Sequence, residues 1–221
     1  MKRIPSTLLA FTLVLAIVVT PVFAANNQGL SWSVASGDRF DFSFTITTEG
    51  ESPETEEIYF IITNNPGSIP DDIGNMNQIP SVSTDVKFAN GSNTPAIFLA
   101  PTDAAVPVGN WSLLSSLMEA EAIPGYEDVN DPAYWGYKAR TAFFIVEIQL
   151  RMEVKFLKSD GFLSLMSISF WNNTANSEMW KYEFSRTDVG VLGIIMDNIL
   201  FVGIGVGVIV LLVLVKCIRR K

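Results

Sequence analysis

The residues best equipped for chemistry are mostly missing from this sequence. It contains no histidine and a single cysteine, Cys217. Without histidine, the Ser/His/Asp and Cys/His nucleophile sets and the imidazole metal sites are excluded. What remains is oxygen chemistry. Glu127-Asp128-Val129-Asn130-Asp131 gathers carboxylates and an amide in one short stretch, and calcium takes about six to eight oxygen ligands. The stretch lacks the glycine and the terminal glutamate of an EF-hand loop, so a solvated acidic loop is the competing reading. Asp71-Asp72 offers less still. Paired carboxylates hydrolyse glycosides in many enzymes, but 23 acidic residues guarantee close pairs by number alone. The expectation is a non-enzymatic chain with no catalytic residue, no metal site and no cofactor.

Two other residue classes could meet a ligand or a modification. Tyr134, Trp135, Tyr137, Trp171, Trp180 and Tyr182 cluster late in the chain. Exposed, they would form a platform for sugar or peptide; buried, they would be sheet core and cross-strand pairs. Three sequons, Asn90-Gly91-Ser92, Asn110-Trp111-Ser112 and Asn172-Asn173-Thr174, offer glycosylation at Asn90, Asn110 and Asn172 if they lie outside the cell. The Trp111 beside Asn110 favours burial there.

The ends of the chain argue that they do. Met1–Ala24 has the basic Lys2 and Arg3, an apolar stretch Leu8–Val19, a break at Pro21 and small or apolar residues up to Ala24. This is the pattern of a secretory signal cleaved after Ala24, with an uncleaved anchor as the alternative. Ile199–Val215 holds 17 residues without a charge, the short end of the about 17–25 that span a bilayer. The tail 216–221, with Lys216, Arg219, Arg220 and Lys221, is wholly basic. It is expected on the cytoplasmic side, with the N-terminus outside. Residues 189–198 form a juxtamembrane segment, in which Asp197 either caps the span or sits in the membrane awaiting a basic partner. Gly203 and Gly207 share one helix face and suit self-association. Cys217 is an acylation site or an inert thiol at the membrane edge.

The exterior is residues 25–188. Nine of the 15 basic residues and all 23 acidic ones lie in residues 25–198, a net charge of −14 there. Such a surface repels phosphate backbones, so nucleic acid is not an expected partner. It has no cysteine, so its stability must come from packing.

Apolar residues recur with a period of two, the period of a half-buried strand. Phe40, Phe42, Phe44 and Ile46 alternate with Asp41, Ser43 and Thr45. Ile58–Thr63 reads as a buried strand ending at a turn. Val82–Ala89 and Ala96–Ala100 flank Asn90-Gly91 and read as a hairpin. Phe144–Phe156 is apolar on one face and charged on the other. A strand of that length exceeds the usual size and is expected to bend or to serve two sheets. With Phe162–Trp171 and Trp180–Phe184 it predicts a three-stranded antiparallel meander. Only Trp111–Ala122 has helical spacing, with Asn110 as N-cap. Gly50–Glu57 and Ile123–Pro132 read as linkers. The expected class is mainly β: an antiparallel β-sandwich or curved half-barrel ectodomain with one short helix, plus one C-terminal transmembrane helix.

Trp32-Ser33-Val34 followed by Gly37-Asp38, Val106-Pro107-Val108-Gly109-Asn110-Trp111, Lys158-Ser159-Asp160-Gly161-Phe162-Leu163 and the Trp180–Phe184 strand resemble uncharacterised archaeal single-pass surface proteins. That resemblance implies an exterior β domain on a C-terminal anchor, and no particular activity. Together these observations predict a membrane-anchored surface protein that binds or assembles as adhesin, receptor or envelope component. The alternative is a tethered carrier of lipid or another hydrophobic ligand. Expected partners are membrane lipid, a protein or glycan ligand, and a second copy through the membrane helix.

Overall fold

Alternation of apolar and polar side chains becomes one amphipathic sheet. The structure, a computed structural model, describes residues 25–94, 103–143 and 145–188. Among these there are eight strands and one α-helix: β1 (Arg39–Thr48), β2 (Glu54–Ile62), β3 (Thr84–Phe88), α1 (Trp111–Ala120), β4 (Glu127–Asn130), β5 (Tyr134–Phe143), β6 (Ile145–Leu157), β7 (Leu163–Asn172) and β8 (Ser177–Arg186). The strands lie in the order β3-β2-β1-β8-β7-β6-β5-β4, every pair antiparallel. The first and last strands meet in the middle, with Phe44 opposite Phe184 and Ile46 opposite Tyr182. The expected meander is present as β6, β7 and β8.

Among the described residues a single sheet, with β3 and β4 as its outermost strands, stands in place of the β-sandwich that was one of the two expected forms, and it does not close into a barrel. The apolar face still needs cover, but irregular chain supplies it in place of a second sheet. Phe40, Phe42 and Phe44 of β1, Ile58, Phe60 and Ile62 of β2, and Phe184 of β8 are buried on one face. Leu30, Trp32 and Val34 from the N-terminal segment, Ile73 and Val82 from the β2–β3 connection, and Ala104, Val106, Leu114 and Leu117 from the β3–β4 connection pack into the same core. The opposite face is polar. Lys155 pairs with Glu153 at 2.7 Å and Lys181 with Glu183 at 2.6 Å. Such part-exposed pairs contribute little to stability, though they keep the face wet.

The long strand neither serves two sheets nor stands alone. β6 pairs along its length with β5 on one side and β7 on the other, with a bulge between Lys155 and Phe156. β5 and β6 are antiparallel neighbours, with Ala142 opposite Gln149, and the sequence joining those two residues holds no Gly, Pro, Asn or Asp. Lacking turn residues, this connection gives no sequence signal. Both expected linkers are partly strand. Glu54–Glu57 pairs with β1, where Thr45 and Thr55 hydroxyls meet at 3.1 Å, and Glu127–Asn130 is β4. Of the expected hairpin at Asn90-Gly91, the turn is present, with Gly91 N–H donating to Phe88 O and Phe88 N–H to Ser92 O. Its second arm, residues 96–100, lies outside the described residues.

Helix α1 is two residues shorter than its apolar stripe suggests. Asn110 caps it, accepting a hydrogen bond from Leu113 N–H at 3.1 Å. It stops because Ala122 turns to a φ of 53°, in the left-handed region that ends helices. Leu114 and Leu117 are its buried residues. Among the described residues no helix is long and apolar enough to cross a membrane. The expected signal at 1–24, the segment 189–198, the span at 199–215 with Gly203 and Gly207, and the tail with Cys217 lie outside the described residues.

Arg186 fastens the end of β8 to the β6–β7 turn. Its guanidinium donates to Asp160 at 2.7 Å, pairs with Asp188, and lies 4.5 Å from the Phe40 ring centroid. The Arg186 side chain is 8 % exposed. Burial pushes the Asp160 carboxyl above its ordinary 3.8, against the opposing pull of Arg186 and of Phe162 N–H. The native state therefore holds the Asp160 proton longer than the unfolded chain does. As pH rises from 3.8 through the raised native value, this residue's contribution to stability falls. Asp160→Asn removes that titration as well as the charge. Its stability deficit relative to wild type is expected to shrink as pH rises through the window. Urea unfolding midpoints across the window test this, and a deficit that widens with pH is the contrary result.

Candidate functional site

The covering layer does not seal the sheet everywhere. Between it and β5, β6 and β7 lies an open groove of about 800 Å³. Its floor is the apolar sheet face: Trp135 and Tyr137 from β5, Met152, Val154 and Phe156 from β6, and Met166 from β7. These positions share a face because Tyr137 stands opposite Val154, and Val154 opposite Met166. One wall is the end of α1, with Met118 and Glu121. The other runs from Met76 to Ser81, and Asp103, Ala105 and Val106 close the space between. The long alternating strand thus supplies three of the floor residues.

Each wall is held by polar contacts of its own. Trp135 is 1 % exposed, and its indole N–H donates to Ser115 Oγ at 3.0 Å. Ser115 in turn donates to Asp128 at 2.8 Å, and Tyr126 OH donates to the same carboxylate at 3.2 Å. The helix, the edge strand β4 and the groove floor are thereby joined through one serine. Burial and the Asp128 carboxylate push the Tyr126 hydroxyl up to about 12, so it stays a donor. Ring contacts continue the support: Trp111 lies 6.0 Å from Trp135, and Trp135 lies 5.8 Å from Phe156. On the other wall, Gln78 Oε1 accepts from Gly74 N–H at 2.6 Å and Asn75 N–H at 3.2 Å. This fixes the 3-10 turn Met76–Gln78.

The lining is soft and largely neutral. Four of the chain's seven methionines, Met76, Met118, Met152 and Met166, face the groove. Unbranched thioether side chains adapt their shape to an occupant at low cost. Burial raises the Tyr137 hydroxyl above its ordinary 10.0, so it too remains uncharged. Volume and lining match a small-molecule site, about 300–1,000 Å³ with apolar walls and a few polar groups. No nucleophile–base pair is arranged there among the described residues: the Ser115 hydroxyl is turned to Asp128 and to Trp135.

The sequence candidates fall in other places. Glu127–Asn130 is not a loop but β4, its Val129 opposite Gly136. Asp128 is occupied by Ser115 and Tyr126, while Asp131 caps the next turn by accepting from Ala133 and Tyr134 N–H. Among the described residues no group of three or more His, Cys, Asp or Glu side chains could hold a metal ion. The six aromatics do not form one platform. Trp135 and Tyr182 are buried, whereas alternation along β7 puts Trp171, opposite Gln149, on the polar face, where Arg151 lies 4.0 Å from its ring centroid.

The sequon asparagines differ. Asn90 is exposed in a turn and accepts from Ser92 N–H and Oγ–H. Asn172 ends β7 and accepts from Thr174 and Ala175 N–H. Asn110 is used at both ends of its amide: the oxygen caps α1, and the nitrogen donates to Gln28 O at 2.8 Å. A glycan on that nitrogen would take one of its donors from the contact with Gln28.

The methionines and Ser115 went unnoticed in the sequence because they are scattered over 90 residues without a spacing rule. The available hints were Met118, on the apolar stripe of the expected helix, and Met152, which continues the apolar alternation of β6. Comparisons with protein families, curated proteins and solved structures find no match to this chain.

Proposed function

We propose that this chain is a non-enzymatic surface protein whose groove holds the apolar part of a small amphipathic ligand. In this reading it is tethered by residues 199–215, with its N-terminus outside and its C-terminus cytoplasmic. The observation that carries the binding proposal is the open groove of about 800 Å³ on the apolar face of β5, β6 and β7. A protein that only adheres or assembles has no need to leave a sheet face unfilled beneath its own covering layer, where close packing would be more stable. The groove therefore ranks the carrier reading ahead of adhesin or envelope component. The sheet and its cover would act as the half-barrel expected from sequence, open at the edges and hollow at one place. The tether rests on the charge-free 17-residue run and its basic tail.

The test uses the full chain taken from its membrane and examined by native mass spectrometry. Met118 and Met76 are half-buried on the two walls, so Met118→Trp and Met76→Trp fill the groove with little disturbance of the core. Wild type is expected to carry a small-molecule adduct that both variants lose, with unchanged circular dichroism. An adduct retained by both variants, or none in wild type, removes the proposal.

A further inference from the structure

The groove's charge selects its occupant. Only two charged side chains among the described lining residues belong to it, Asp103 and Glu121, and both are acidic. Both are exposed, at the mouth. The other polar lining groups include Asn77, Gln78, Ser81 and the Tyr137 hydroxyl, all neutral. No lysine or arginine among the described residues lines the space, and several cations of the surrounding strands and turns are engaged elsewhere. Lys155 is paired with Glu153 on the polar face. Lys158 donates to Asn130 Oδ1 and Asp131 O. Arg186 is held by Asp160 and Asp188.

An anionic head group entering this groove would give up hydration, find no counter-charge and face two carboxylates. A cationic head would stay wet at the mouth and gain their attraction, while its chain covers the methionine and aromatic floor. The charge of −14 over residues 25–198 acts in the same sense at longer range. We infer that the occupant is a small cationic amphiphile, an alkyl chain carrying an ammonium or related cation, and that carboxylate and phosphate amphiphiles are rejected. This inference rests on the groove being a ligand site.

The test uses the full chain in lipid nanodiscs with three photo-crosslinking probes. All three share a ten-carbon diazirine chain and differ in the head: trimethylammonium, maltoside or carboxylate. Cross-links are counted on peptides bearing Met76, Met118, Met152 and Met166. The ammonium probe is expected to label these peptides about tenfold more than the carboxylate probe, as two opposed charges at the mouth would produce, and the ratio should fall with salt. In the Asp103→Asn/Glu121→Gln variant the ammonium-to-maltoside ratio is expected to drop to about that of free partitioning. Equal labelling by all three heads would overturn the charge inference and leave the groove reading standing. Absence of labelling by any probe would overturn both. A diazirine-bearing apolar peptide with one lysine is run alongside: preferential labelling by it, with none by the ammonium probe, would overturn the small-molecule assignment.

Discussion

Replacing Phe162 by alanine is expected to lower the stability of the chain by about 3–5 kcal/mol. The residue follows the β6–β7 turn and is 0 % exposed. Its ring stacks on Phe40 with centroids 3.8 Å apart, and meets Phe42 at 6.2 Å and Phe60 at 6.1 Å. Those rings belong to β1 and β2, two and three strands away across the sheet. Its backbone bridges Ala105 in the covering layer. Removing the ring would therefore open a cavity where sheet and cover meet, among side chains held by strands that cannot collapse into it. Domains of this size are stable by about 5–15 kcal/mol in all, so the loss is a large share, equivalent to a fall in Tm of about 10 °C. The matched control is Trp171→Ala, an aromatic of the polar face that contacts Arg151. It is expected to lose about 1 kcal/mol or less. Thermal and urea unfolding of the full chain distinguish the two, and similar losses at both sites would mean that the ring cluster is not the keystone described.

Period-two patterning made β1, β6 and β8 legible, because each has one buried and one wet face, while β7 was legible as an apolar run between two turns. Asn110 announced the start of α1 for a similar local reason: a side chain that caps must be polar and must precede an apolar run. Three features were not legible. β5 carries Gly136 in a strand position, and glycine usually argues against a strand. β4 and the start of β2 are acidic, because they lie at or near the sheet edge and at the open end of a strand, where charge costs little. The number of layers depends on what covers the apolar face, and Leu30, Trp32, Val34 and Val82 do so from irregular chain that has no period to read. The groove was legible only as an expectation that something should lie on the apolar face of β6. Its walls come from residues 76–81, 103–106 and 118–123, which no local pattern joins.

Gly136 unites the two halves of that lesson, and Gly136→Ala is expected both to destabilise the chain and to disable the groove. Alanine for glycine within a strand normally gains about 0.5–1 kcal/mol. Here a Cβ would stand 2.0 Å from Val154 O and 2.9 Å from Lys155 Cα. Both are backbone atoms of β6, so no side chain can swing aside, and β5 must move away from its partner. The expected loss is about 3 kcal/mol, the upper end for overpacking. The neighbours Trp135 and Tyr137, together with Val154 opposite Tyr137, line the groove, so the same displacement tilts its floor. Labelling of the groove by the neutral maltoside probe is expected to fall about tenfold, as a distortion of about 1.4 kcal/mol in binding would give. Gly37→Ala separates contact from backbone strain. Gly37 has a φ of +95° but no atom within 4 Å of a built Cβ, so alanine there costs about 1–2 kcal/mol through its backbone conformation and leaves the groove untouched. Loss of labelling in both variants would make it a consequence of general destabilisation. Loss in Gly136→Ala alone would tie binding to the spacing of β5 and β6, where the absence of a side chain at Gly136 shapes the floor that the others line.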